Sequence, residues 1–184
     1  QNDRVLYRKK EKIPVQLRTL FRRQKPPSVM VWEGVTSDGK KAPIIFVEEG
    51  VKIDQAVYLH LLSEEVVPWV QREYPTALLL FQQDGAPSHT SKLVQSFCTD
   101  MFADFWSKDL WPPSSPDLNS MDFGILSILE TRVCSKSWPS VEILKKKLIQ
   151  AWASLSEEEI PACVASTARR FKAVVKAKEG YVKI

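Results

Sequence analysis

The spacing of apolar positions changes several times along the chain, and each change marks an element. Residues 29–36 (VMVWEGVT) are rich in β-branched and aromatic side chains, which predicts a strand. Ser37-Asp38-Gly39-Lys40 is a turn signal, and 42–47 (APIIFV) predicts the returning strand of a hairpin. From Asp54 the period lengthens. Val57, Leu61, Leu62, Val66 and Val70 share one helical face, so a helix is expected over 54–73, capped by Asp54 and kinked by Pro68. The apolar run 77–82 (ALLLFQ), bounded by turn signals, predicts a buried strand. Thr90 or Ser91 opens a helix with Leu93, Val94, Phe97, Cys98 and Met101 as its apolar stripe. A short strand is expected over 104–111, followed by the proline-rich loop 112–116.

Three helices complete the pattern. One runs over 119–133 from Asn119. One is capped by Ser140 and carries Ile143, Leu144, Leu148, Trp152 and Leu155 near one face. The last runs from Ser156 towards Lys178, with Pro161 in its first turns, where proline is best tolerated. The order is strand, strand, helix, strand, helix, strand, then three helices. It describes an α/β chain with a helical C-terminal third.

Composition narrows the class. The 184 residues fit one domain, and 44% apolar residues suffice for a packed core. No run of 18 apolar residues is present, so no membrane-spanning helix and no membrane partner are expected. The opening QNDRVLYRKK has neither a signal-peptide core nor an initiator Met, which points to an excised fragment. Cys98, Cys134 and Cys163 are odd in number, far apart and form no CxxC. With only His60 and His89 beside them, neither a disulfide framework nor a zinc site is expected. The net charge of +4 is unevenly placed. Residues 1–25 hold nine Lys/Arg, among them Arg18, Arg22, Arg23 and Lys25, against two acids, and the remainder is net −3. A basic segment on a slightly acidic body fits a polyanion partner, and equally a solvated loop.

Two segments carry candidate chemistry. In Gln82-Gln83-Asp84-Gly85-Ala86-Pro87-Ser88-His89-Thr90, an apolar strand delivers Asp84 to its carboxyl end, where ligand sites of open α/β sheets lie. Taken alone, an Asp-Gly pair is more often a turn whose aspartate bonds local amides. In Trp111-Pro112-Pro113-Ser114-Ser115-Pro116-Asp117-Leu118-Asn119-Ser120-Met121-Asp122-Phe123, Asn119 can cap a helix with Asp122 in its first turn. That resembles a capping box, yet an ionised first-turn carboxylate also suits a Mg²⁺ ligand. Other residues carry weaker signals. Asp117 reads as a turn residue, Glu130 as a surface glutamate and Trp111 as core packing rather than a base-stacking platform. Arg169, Arg170 and Lys172 read as a solvated helix face before phosphate contacts.

Together the two segments resemble the mariner-type DNA transposases, in which the second and third acids of a DDE or DDD triad lie on a strand and a later helix. Here 37 residues separate Asp84 from Asp122, a spacing similar to that of the aspartate-triad subgroup. QNDRV, VMVWEGVTSDGK, VEEGVKID and RRFKAVVKAKEGYV also look like this family, so the resemblance covers essentially the whole chain. Three features depart from the pattern. The family's first acid lies in a Ser/Thr-Asp-Glu strand ahead of QNDRV, and Asp3 belongs to QNDRV itself. Ser120 stands where proline is usual, and Glu33 where a second glycine is usual. A charge on a core strand is a local inconsistency, and the departures fit a decayed or repurposed element.

The resemblance implies a ribonuclease-H-like mixed sheet flanked by helices, with residues 1–184 one catalytic domain, residues 1–27 a basic extended segment within it, and the central first strand preceding Gln1. It implies metal-dependent hydrolysis and strand transfer at transposon ends. Two Mg²⁺ or Mn²⁺ ions would be held by Asp84 and Asp122, with His89 and Asn119 adjacent. Arg18, Arg22, Arg23 and Lys25 are the expected DNA contacts. The implied partners are transposon-end and target DNA and, for the complete protein, a second copy; the implied location is the nucleus. With two of three acids, the fragment is expected to be inactive alone. The competing readings are a non-catalytic DNA-binding module derived from a transposase and a ribonuclease-H-like nuclease.

Overall fold

The computed structural model describes residues 27–135 and 137–177. The expected basic segment therefore lies outside the described residues except for Pro27, and Arg18, Arg22, Arg23 and Lys25 with it.

The hairpin forms, but its regular ladder is short. Strand β1 (Val31–Trp32) pairs antiparallel with β2 (Ile45–Phe46), with Val31 opposite Phe46 and Trp32 opposite Ile45. Pairing lapses at Glu33 and resumes only at an isolated bridge between Val35 and Lys41. The expected spans 29–36 and 42–47 are thus too long. Pro43 has no N–H to give, so the returning strand cannot keep a continuous ladder. The turn closes where expected. The Gly39 N–H bonds to the Thr36 carbonyl at 3.0 Å, and Gly39 takes φ +97°, which glycine adopts without strain.

Asp54 caps helix α1 (Gln55–Leu61), its carboxylate accepting from Ala56 N and Val57 N. The expected helix continues to Glu73 through a π-helical turn, Leu62–Val66, into α2 (Val67–Glu73). The distortion precedes the proline because Pro68 cannot bond back to residue 64 and its ring crowds that turn. Strand β3 (Leu80–Phe81) pairs parallel with β4 (Asp104–Phe105) across helix α3 (Lys92–Met101). The expectation of a buried strand at 77–82 is corrected: Leu78 is 87% and Leu80 46% exposed. Among the described residues β3 pairs with β4 alone, and the β1–β2 and β3–β4 ladders are not hydrogen-bonded to each other. The α3 stripe is also narrower than expected, with Val94 and Cys98 buried but Leu93 and Met101 exposed. The strand expected over 104–111 stops at Phe105. Gln95 Oε1 accepts from Lys108 N at 2.9 Å, and a turn over Ser107–Trp111 follows.

The expected helix over 119–133 begins instead with a π-helical turn, Met121–Leu126, and continues as α4 (Ser127–Val133). Helix α5 (Val141–Ala153) is capped by Ser140. Helix α6 (Glu159–Ala177) opens on a reciprocal capping box: Ser156 Oγ accepts from Glu159 N, and Glu159 Oε2 accepts from Ser156 N.

Side chains of the hairpin alternate between two cores. Trp32 and Ile45 pack with Tyr58, Leu62, Val94 and Cys98. Val29, Val35 and Ile44 pack with Ile125, Leu129, Trp152 and Ile160. Helices thus cover both faces of the hairpin, as the pleat of a strand buried on both sides requires.

Candidate active site

Asp84 follows β3, and the chain turns at once. Its Oδ1 accepts from Ala86 N at 3.0 Å, while His89 N and Thr90 N both bond to the Ala86 carbonyl. Ser91 then caps α3 by accepting from Val94 N. The aspartate does make the local turn that the sequence allowed, yet its side chain stays 44% exposed and so remains open to a ligand. A Cβ at Gly85 would meet nothing within 4 Å, so space beside the carboxylate is open too.

His89 lies against Asp84, its Nδ1 2.5 Å from Oδ1. The contact is close but poorly aligned for a hydrogen bond, so among the described residues Nδ1 is buried without a well-directed partner. The imidazole stacks on Tyr58, with ring centroids 4.0 Å apart. The Tyr58 hydroxyl donates to Gln83 Oε1 at 2.8 Å, and Gln83 Nε2 donates to the His89 carbonyl at 3.1 Å. Gln95 Nε2 donates to that same carbonyl at 2.9 Å. Tyr58, Gln83 and Gln95 thus brace the Asp84 loop, and none was expected from sequence. A polar Gln83 at the end of an apolar run, buried at 9% exposure, is the signal that could have found it.

Asp122 sits in the π-helical turn that starts at Met121. Asn119 Oδ1 accepts from Met121 N at 3.1 Å, and Asn119 Nδ2 donates to Asp122 Oδ2 at 3.0 Å. The expected capping box is therefore corrected. Asp122 takes the side-chain amide of Asn119, because the Asn119 backbone N–H is already bonded to the Pro116 carbonyl.

The two carboxylates are shifted in opposite directions. The imidazole of His89 holds Asp84 below the ordinary aspartate range; burial opposes this and the Ala86 N–H adds to it. Burial raises Asp122, the Asn119 amide lowers it, and the negative charge of Asp84 raises it further. The chain therefore brings these acids close enough for one to feel the other's charge, across 37 intervening residues. Two hard oxygen donors suit a divalent cation such as Mg²⁺ or Mn²⁺, which would relieve that repulsion. Among the described residues no group of three or more His, Cys, Asp and Glu is placed to hold a metal.

The weaker candidates fall to their plainer readings. Trp111 is buried against Trp106 and Phe171, and Glu130 is exposed on α4. Arg169 and Lys172 are exposed on α6. Arg170 differs: it lies over the Phe123 ring.

No family model matches the chain. The Tc3 transposase of Caenorhabditis elegans is 30% identical over 155 residues, which is 81% of this chain and 44% of that protein. The Tcb2 transposase of Caenorhabditis briggsae is 28% identical over 151 residues, 82% of this chain and 52% of that protein. The catalytic domain of Mos1 mariner transposase superposes with a TM-score of 0.75 at 20% identity, covering 87% of this chain and 78% of that one. The chain belongs with the Tc1/mariner transposases. Its fold is that of the mariner catalytic domain, ribonuclease-H-like as expected. It spans about half the length of the curated relatives that it matches. Mos1 has been solved as a catalytic domain with Mn and as a paired-end complex with its left transposon end.

Proposed function

We propose that this chain is the catalytic part of a DNA transposase, with Asp84 and Asp122 as two of its metal-binding acids. The observation that carries the proposal is the placement of Asp84 just after β3 with its side chain open to a ligand, near enough to Asp122 for its negative charge to raise that acid. The Mos1 structures with Mn and with transposon-end DNA support divalent metal and DNA as its ligands. When bound, a divalent cation activates an attacking oxygen and stabilises the leaving oxygen of a phosphodiester. The chain's own work is positional. Ionised Asp84 is held by the Ala86 N–H beside His89, on a loop braced by Tyr58 and Gln83. Asp122 is oriented by Asn119, which is therefore adjacent to the chemistry without entering it. The substrates are transposon ends and target DNA, the place is the nucleus, and the complete protein acts with a second copy of itself.

The test is cleavage and joining of terminal-repeat DNA in Mg²⁺ or Mn²⁺ by a longer chain that adds an upstream Ser/Thr-Asp-Glu strand. Cleavage and strand transfer, both abolished by Asp84→Asn or Asp122→Asn, are expected. Cleavage without joining would mark a nuclease, and binding without cleavage a DNA-binding module. Cleavage by the 184-residue chain itself, lost in Asp84→Ala, would refute the three-acid account.

A further inference from the structure

Helix α6 contributes no acid to the site, yet it grips the segment that carries Asp122 at two points. The first is a close approach. A Cβ on Gly124 would come within 2.8 Å of Cys163 Sγ, so the helix and the π-helical turn touch almost backbone to side chain. The second lies two turns further along α6. Arg170 Cζ sits 3.8 Å from the centroid of the Phe123 ring, and Arg170 Nη1 donates to the Asp117 carbonyl at 3.1 Å. Phe123 is the residue after Asp122, and Asp117 lies two residues before Asn119, whose amide holds the Asp122 carboxylate. One guanidinium therefore ties down both flanks of the Asn119–Asp122 pair.

The geometry points to Arg170 as a positioning residue for Asp122, acting through Phe123 and the Asp117 carbonyl. Among the described residues its charge meets no carboxylate, so the contact is not an ion pair with another purpose. Its neighbour Phe171 packs edge-on against both Trp106 and Trp111, which fixes this turn of α6 to the loop after β4. Arg169 and Lys172, on either side, are exposed and make no such contact. The job needs a flat cation that stacks by its face while an edge N–H bonds a carbonyl. A lysine ammonium can sit over a ring and bond a carbonyl, as Lys40 does with Tyr74 and the Glu73 carbonyl, but it has no flat face to stack. The inference rests on the proposal that Asp122 ligates a divalent cation.

The experiment is Mn²⁺ binding to the 184-residue chain, read from the electron paramagnetic resonance of free Mn²⁺, with circular dichroism melts recorded in parallel. Asp122→Asn defines the site. Arg170→Met should weaken Mn²⁺ binding about 10–100-fold, the range for residues that orient a metal ligand. Arg170→Lys should restore only part of it, and Arg169→Met should change nothing. Should Arg170→Met fail to fold, Arg170→Lys and Phe123→Leu decide. Each should weaken binding, and combining them should add little, since both break one contact. Folded Arg170 variants that bind Mn²⁺ like the parent chain, while Asp122→Asn does not, would overturn the role of Arg170 alone. Unchanged binding in Asp122→Asn would instead overturn the metal site on which it rests.

Discussion

Tyr58 stacks on His89 with ring centroids 4.0 Å apart while its hydroxyl donates to Gln83 at 2.8 Å. One side chain of α1 thereby touches both the residue before Asp84 and the imidazole against it. Tyr58→Phe keeps the stack and leaves Gln83 Oε1 buried without its donor. The expected loss is about 1–3 kcal/mol of stability, measured by urea unfolding. Tyr58→Leu, which also removes the stack, should lose more. Equal stability of Tyr58→Phe and the parent chain would show that the hydroxyl does not brace the loop.

Glu33 should make the fold sensitive to pH. Among the described residues neither of its buried carboxylate oxygens has a hydrogen-bond partner, and burial pushes its pKa from 4.5 up to about 7. The folded chain then holds this proton more tightly than the unfolded chain. Stability is full below the unfolded value of 4.5 and falls as pH rises through the folded value of about 7. The loss is on the order of 2 kcal/mol once partial exposure is allowed for. Melting temperature should decline between about pH 5 and about pH 8, and Glu33→Gln should flatten that slope. An identical slope in Glu33→Gln would assign it to other groups.

Gly124 tests the packing of α6. Gly124→Ala puts a Cβ within 2.8 Å of Cys163 Sγ. The overpacking should cost about 1–3 kcal/mol in thermal or urea unfolding. Cys163→Ala in the same chain should recover most of it, by removing the sulfur that is struck. Additive losses would place the strain elsewhere.

Much of the local structure is written in short sequence signals. Asp54, Ser91 and Ser140 cap the helices expected of them, and Ser156 with Glu159 forms a capping box. Such caps involve neighbours in sequence, so the residues alone disclose them. What the sequence hides depends on distant partners. The ladders are far shorter than the β-rich runs, because strand length depends on which backbones lie alongside and on Pro43 within the hairpin. The π-helical turns at Leu62–Val66 and Met121–Leu126 leave no periodic trace that distinguishes them from α-helix. At the site, Asp84 and Asp122 are legible from their motifs. The brace from Tyr58 to Gln83 spans 25 residues and joins two elements whose packing no local pattern announces.

The basic N-terminal segment carries a prediction about DNA. Nine Lys/Arg within residues 1–25 should bind DNA without regard to sequence, and affinity should fall steeply with salt as counterions are released. Charge reversal at Arg22, Arg23 and Lys25 together should weaken binding in fluorescence anisotropy at about 50 mM salt. Unchanged anisotropy would make the segment a solvated loop.

The pairing of Asp84 with Asp122 around a divalent cation is tested most directly by anomalous diffraction from crystals of the chain soaked in Mn²⁺. The account predicts one or two manganese peaks within ligand distance of both carboxylates, about 2.0–2.6 Å, lost in Asp84→Asn and Asp122→Asn crystals. Manganese bound elsewhere, or the two carboxylates on opposite faces of the domain with no metal between them, would contradict it.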